Sequence, residues 1–268
     1  MMKYLLISLL ALIPAAAAAQ SVDINFAIPV VTAPAEAPGV WYPDRYAPCG
    51  FVSPVKAPDG TKNTLQQNIC STDYQGVDSF YNTQGRKYDL PPNTYSVSIS
   101  LYVPSAWKTE NARMAGFWAT AFDSSNNVGD YPIIEFEGPT TSDLGGPGYR
   151  PNGGVAGFYG WDNSANSGAG AFVLIGLPKD FKYNSWVDLT MTLLPGKGIE
   201  YTVSDSSNHH GLSLLTKLYD TADVNLGNVF MQGYNYDSLD SYHTTMYSIF
   251  WDNLNFSSKS LICVSDDH

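Results

Sequence analysis

A chain of 268 residues with 14 lysines and arginines against 25 aspartates and glutamates carries a formal net charge of −11. That balance disfavours nucleic acid and anionic membrane surfaces as partners and fits poorly with a strongly anionic polysaccharide, while neutral glycans stay open. Charged residues are 15% of the chain and aromatics 13%, with 23 glycines, 17 prolines and 18 tyrosines, the composition of a turn-rich all-β protein rather than a helical one.

The chain opens with Lys3, the apolar run Y-L-L-I-S-L-L-A-L-I-P and a row of alanines. This pattern predicts a secretory signal peptide over residues 1–19, with Ala17 and Ala19 at the −3 and −1 positions and cleavage before Gln20. The run is shorter than the roughly 20 apolar residues of a membrane span, and no second one follows. The expectation is a secreted protein, extracellular or periplasmic, with no membrane anchor. Residues 20–39 read as an N-terminal strand or linker, and 40–268 as a single β domain.

V-W-Y-P-D-R-Y-A-P-C-G-F reads as a packed loop pinned by Trp41, Tyr42 and Tyr46, because proline supplies no donor to a central strand. Residues 56–94 carry turn chemistry in A-P-D-G, N-T-Q-G and L-P-P-N-T. In an oxidising compartment Cys49 pairs with either Cys70 or Cys263, and the spacing of the three suits no metal site.

From Thr94 the alternation is clean: Val97, Ile99, Leu101 and Val103 fall on one face, Ser96, Ser98, Ser100 and Tyr102 on the other. Residues 113–122 predict a second strand with Phe117 and Trp118 on opposite faces. In D-Y-P-I-I-E-F-E-G, Ile134 and Phe136 face one way while Ile133, Glu135 and Glu137 face the other. Their two carboxylates stand roughly 6–7 Å apart at Cα by the strand rise, and are expected to project into a sugar-binding trough. A Gly-rich stretch with one strand near Val155–Trp161 comes next, then the buried strand G-A-F-V-L-I-G-L. W-V-D-L-T-M-T-L-L, the turn P-G-K-G and I-E-Y-T-V-S form a hairpin. H-G-L-S-L-L-T-K-L-Y-D fits a strand or a short helix, and V-F-M-Q-G-Y-N-Y-D and S-I-F-W-D-N-L-N-F are the last long strands. Ten to twelve strands with no amphipathic helix predict a two-sheet antiparallel β-sandwich of the jelly-roll kind.

The hairpin S-W-V-D-L-T-M-T-L-L-P-G-K-G-I-E-Y-T-V-S and the closing S-I-F-W-D-N-L-N-F resemble the concanavalin A-like lectin/glucanase superfamily, including laminin-G-like jelly rolls. V-W-Y-P-D-R-Y-A-P, F-Y-N-T-Q-G-R-K-Y-D-L and Y-P-I-I-E-F-E also resemble a group of exported bacterial proteins, a likeness that implies compartment but no reaction. The superfamily resemblance spans roughly residues 40–257 and implies two antiparallel sheets, one concave, with a glycan across the concave face. Its retaining glucanases carry E-x-D-x-E or E-x-D-x-x-E on one strand. With Glu137 last, the nucleophile position falls on Ile133; with Glu135 first, the acid/base position of the shorter motif falls on Pro139. Neither register completes the set, so an endo-acting glycoside hydrolase would use Glu135 and Glu137 alone. A polysaccharide lyase resembling Y-F-K-A-G-x-Y-x-Q would keep Phe230 and Gly233 but has Asn235 where the tyrosine belongs, and His209 and His210 read as turn residues. The favoured reading is glycan binding, with Trp118, Trp161, Gln232, Tyr234, Tyr236 and Arg113 as contact candidates. Trp251, in an apolar run, reads as core. The resemblance further implies a structural calcium ion, with Asp252 as ligand and Asp237 and Asp240 as alternatives.

Overall fold

The computed structural model describes residues 20–70, 83–109, 113–139, 155–206, 210–234 and 245–258. They form two antiparallel sheets stacked as a jelly-roll sandwich. The first sheet contains β1 (Gln20–Ile24), β3 (Gly50–Lys56), β4 (Asn63–Ile69), β6 (Thr94–Val103), β12 (Ser185–Leu194), β13 (Gly198–Asp205), β14 (Gly211–Thr216) and β16 (Tyr247–Ser258). Its order is β14-β13-β12-β6-β16-β4-β3, with β1 added to the second half of β16. The second contains β2 (Tyr42–Pro43), β5 (Thr83–Asp89), β7 (Met114–Asp123), β8 (Val128–Asp130), β9 (Ile133–Glu137), β10 (Gly157–Asp162), β11 (Ala171–Gly176) and β15 (Asp223–Tyr234), in the order β11-β10-β9-β7-β15-β5-β2, with β8 beside β7.

Period-two patterning explains the core. Val97, Ile99, Leu101 and Val103 of β6 meet Val187, Leu189, Met191 and Leu193 of β12, and the set faces Ile134 and Phe136 of β9 and Phe117 of β7 across the sandwich. Trp251 lies fully in this core, as its apolar surroundings predict. Ala115, Ala119 and Ala121 keep the inner face of β7 shallow, which leaves volume for the rings around them.

Two polar side chains of the first sheet cross this apolar layer. The Gln67 amide donates to the carbonyls of Gln84 and Met231 (3.0 and 3.1 Å) and accepts the indole N–H of Trp251 (2.9 Å). The Tyr201 hydroxyl accepts the backbone N–H of Ile133 (3.2 Å) and donates to the carbonyl of Trp161 (3.1 Å). Both side chains thus bond to backbone groups of the opposite sheet, which fixes the two layers in register.

Several expectations are revised. The described residues alone contain sixteen strands, more than the ten to twelve expected. The stretch read as turn chemistry, 56–94, holds β4 and β5, whose alternation was masked by the polar run Asn63 to Asn68 and by N-T-Q-G. The strand A-F-V-L-I-G, expected to be buried, is an edge strand buried at Ala171 and Phe172 and half-buried from Val173 onward. The strand-or-helix segment is strand β14. Pro54 is accommodated because β3 is an edge strand with a register shift between Val52 and Val55. Of the two cysteine pairings left open, the structure shows Cys49–Cys70, with Cα atoms 5.8 Å apart. Residues 1–19 and Cys263 lie outside the described residues.

Candidate functional site

The outer face of an antiparallel sandwich sheet is ordinarily polar and wet. On the second sheet it is aromatic. Met114, Trp118, Ile133, Tyr159, Phe172, Phe230 and Tyr234 form a second apolar cluster there, separate from the core, with Trp161 and Leu174 packed against it. Register explains the gathering. One row across the sheet reads Leu174, Tyr159, Glu135, Gly116, Gln232, Gly85; the next reads Ile133, Trp118, Phe230, Lys87, Tyr42. A Cβ at Gly116 would overlap the Trp118 indole nitrogen, and one at Gly85 the Gln232 amide. The two glycines therefore let those side chains lie flat along the floor.

The acids expected to stand out into a trough do not. Glu135 is 1% exposed and Glu137 2%. The reason is their row mates: aromatic side chains from β7 and β10 fill the space beside them, and the Trp118 indole N–H points to Glu135 Oε2 at 3.3 Å. Sequence periodicity correctly separates them from Ile134 and Phe136 but does not reveal that both faces of this sheet are apolar.

Polar access to the face lies at its β5–β2 side. Asp44 Oδ2 accepts the Gln232 amide at 2.8 Å and Arg45 at 3.2 Å, and Asp44 Oδ1 lies 3.1 Å from the Lys87 ammonium. Lys87 Nζ sits 4.6 Å above the Phe230 ring and Arg45 5.9 Å from that of Trp118. Arg45 and Lys87 keep about a quarter of their side chains in solvent (26% and 27%). The Tyr42 hydroxyl donates to Asp89 at 2.6 Å; burial and that carboxylate hold its phenol far above the usual tyrosine range. Gln232 is buried, and its carbonyl oxygen has no hydrogen-bond partner among the described residues.

Among the other candidates, Trp161 is half-buried on β10, edge-on to Phe172 at 5.2 Å and bonded to Asn163. Tyr234 is buried in the cluster. Arg113, 5% exposed, reaches Thr245 and lies 4.7 Å from the Tyr247 ring, so it acts as a strut between β7 and β16. Tyr236, His209, Asp237 and Asp240 lie outside the described residues. Asp252, expected as a calcium ligand, is instead ion-paired with Lys62 at 2.8 Å, and among the described residues no three His, Cys, Asp or Glu side chains gather to hold a metal. The ammonium already neutralises that carboxylate, so the residues present do not suit a cation there. Lys87, Arg45 and Asp44 were missed by sequence reasoning, and Phe230 was named only for the lyase strand it resembles. The signal for Phe230 was its spacing of two from Gln232; Lys87 lay in the stretch read as turns.

A separate acid pair closes one end of this sheet. Asp130, ending β8, accepts N–H groups of Tyr219 and Asp220 at 2.9 and 3.0 Å and the amide of Asn163. Asp223, opening β15, is 0% exposed and faces the Asp130 carboxyl, to which it can hydrogen-bond only when one of the two holds a proton. Burial, then Asp130, with Asp220 and Asp123 adding, pushes the Asp223 carboxyl up to about 7.

No protein-family model matches the chain, and no curated protein does. Among solved structures, a mutant alginate lyase in complex with an alginate tetrasaccharide is 13% identical, with a TM-score of 0.52 over 90% of this chain and 98% of that one. The same lyase without those mutations is 11% identical, with a TM-score of 0.52 over 88% and 96%. Lectin I from Ulex europaeus, with the methyl glycoside of α-L-fucose, is 11% identical at a TM-score of 0.46, over 89% and 98%. At such identities the two lyase structures share the sandwich fold with this chain.

Proposed function

We propose that this is a secreted glycan-binding protein that holds a neutral or weakly charged polysaccharide on the outer face of the second sheet. The observation that carries the reading is an aromatic cluster on a face that is ordinarily polar, itself largely buried but edged by half-buried Trp161 and by Arg45 and Lys87, which keep about a quarter of their side chains in solvent. Sugar rings stack on aromatic faces while hydroxyls take directional bonds from amides and charged groups, and this face offers both. A solved protein of the same fold is described with a bound alginate tetrasaccharide, which supports carbohydrate as the ligand class. The signal-peptide pattern of residues 1–19 supports export.

Binding is preferred to hydrolysis because neither register of the retaining-glucanase motif is complete around Glu135 and Glu137. Eliminative cleavage is the second reading, favoured by Arg45 and Lys87 on the same face as Tyr42. Affinity electrophoresis against glucans, xylans, mannans and a polyuronate tests the proposal. A neutral or weakly charged glycan should retard the protein, and Lys87→Ala and Trp161→Ala should each weaken the retardation about tenfold without changing the far-ultraviolet spectrum. Release of reducing ends abolished by both Glu135→Gln and Glu137→Gln would replace binding with hydrolysis, and ultraviolet absorbance from an unsaturated product would replace it with elimination. Absence of retardation by every glycan would end the proposal.

A further inference from the structure

The outer face of the first sheet carries a cleft of its own, where the β3–β4 turn, the β11–β12 connection and the end of β13 converge. It encloses about 540 Å³, within the usual range of small-molecule sites. Trp186, at the start of β12, pairs across the sheet with Tyr102, and their rings meet edge to face at 5.5 Å. The neighbours of both in sequence, Val187 and Leu101, are buried in the core, so Trp186 and Tyr102 are directed outward.

This site is assembled by hydrogen bonds rather than left as an accidental gap. The Trp186 indole N–H donates to Asp59 Oδ2 at 3.0 Å, and Asp59 Oδ1 takes the N–H and hydroxyl of Thr61 at 3.0 and 2.8 Å. Burial alone would raise the Asp59 carboxyl. The bonds from Thr61 and Trp186 and the nearby Lys62 outweigh it and hold the group below its usual range, so it is a permanent acceptor. Lys62 lies 3.9 Å above the Trp186 ring and is tied to Asp252 at 2.8 Å. The far wall turns through left-handed Asp180 (φ 66°) and Asn184 (φ 60°), and the Asn184 side chain is locked to the backbone N–H of Ser105 at 2.7 Å.

From this arrangement we infer a second carbohydrate site, for a short neutral saccharide, with Trp186, oriented by Asp59, as its aromatic wall and Asp180 and Asp205 as hydroxyl acceptors. Aromatic surface beside fixed carboxylates and amides is the chemistry that recognises vicinal hydroxyls. Three lining aspartates against two lysines, one of them already committed to Asp252, repel a uronate. A metal ion is disfavoured because Asp59 is saturated by Thr61 and Trp186. The inference is independent of the reading of the other sheet, since the two faces point away from each other.

The test follows the indole N–H resonances of the protein by two-dimensional NMR, with that of Trp186 assigned through Trp186→Phe. Neutral tetrasaccharides (gluco-, xylo- and manno-configured) and a tetragalacturonate are titrated in turn. The expected result is a saturable shift of the Trp186 resonance with a neutral tetrasaccharide. That shift should survive Trp161→Ala and weaken about tenfold in Asp180→Gly, an exposed position where glycine accepts the left-handed backbone. A Trp186 resonance unmoved by every neutral sugar, or moved first by the galacturonate, overturns the inference. If Trp161 responds while Trp186 does not, only the second site is lost and the proposal for the other sheet stands.

Discussion

The buried acid pair gives the sharpest test of the electrostatic account. Asp223 holds a proton up to about 7 in the folded protein, against an ordinary value of 3.8. Below 3.8 the folded and unfolded chains are both protonated there, and the site opposes nothing. As pH rises, the unfolded chain releases its proton first, so stability falls until about 7 and then levels. At about 1.4 kcal/mol per pH unit the gap caps the loss at about 4 kcal/mol. Burial is the largest cause, and the shares from the Asp130, Asp220 and Asp123 charges are screened by salt and water, so a loss of at least about 2 kcal/mol is expected. Asp223→Asn keeps the shape and presents an amide to Asp130 without needing a proton. Urea unfolding of both proteins at about pH 4 and about pH 8 should show the variant gaining at least about 2 kcal/mol relative to wild type at the higher pH. Parallel stability curves across that interval would refute the reasoning, because they would mean that Asp223 titrates in the folded protein as it does in the unfolded chain.

Three further outcomes follow from contacts already described. Gln67→Leu leaves the Trp251 N–H and two carbonyls unsatisfied in the core, and denaturant unfolding should show a loss of about 3 kcal/mol; a loss under about 1 kcal/mol would mean that the amide is not an effective bridge. Gly85→Ala drives a methyl into the Gln232 amide and should weaken glycan retardation on gels while lowering stability by about 1–3 kcal/mol. Replacing Cys49 and Cys70 together by serine opens a loop of sequence separation 21 and should reduce stability by about 3 kcal/mol, read as a lowered urea midpoint.

How much of this was legible in the sequence depends on what each strand's neighbours supply. β6 and β12 could be read residue by residue, because their apolar positions alternate with serine, threonine and tyrosine and only one answer suits a sandwich. The Glu135 strand was half legible. Its alternation assigned the faces correctly, but the burial of Glu135 comes from Trp118 and Tyr159, which are adjacent only through pairing across β7, β9 and β10. The rim was hidden for another reason. Lys87 lies in the polar sequence T-Q-G-R-K-Y-D, whose strand character comes from pairing with β15 rather than from its own composition. The Trp186 cleft is assembled from three distant turns, and single-sequence patterning carries no distance information of that kind.

The position of the Gln67 bridge bears on recognition as well as on the core. The two carbonyls it grips belong to Gln84 and Met231, each one residue from a member of the outer floor, Gly85 and Gln232. The floor is therefore clamped from beneath, through the thickness of the molecule, before any ligand arrives. A surface stiffened in advance gives up little motional freedom on association. Loosening this distant amide should thus register in the entropy of glycan capture, with every groove side chain still in place.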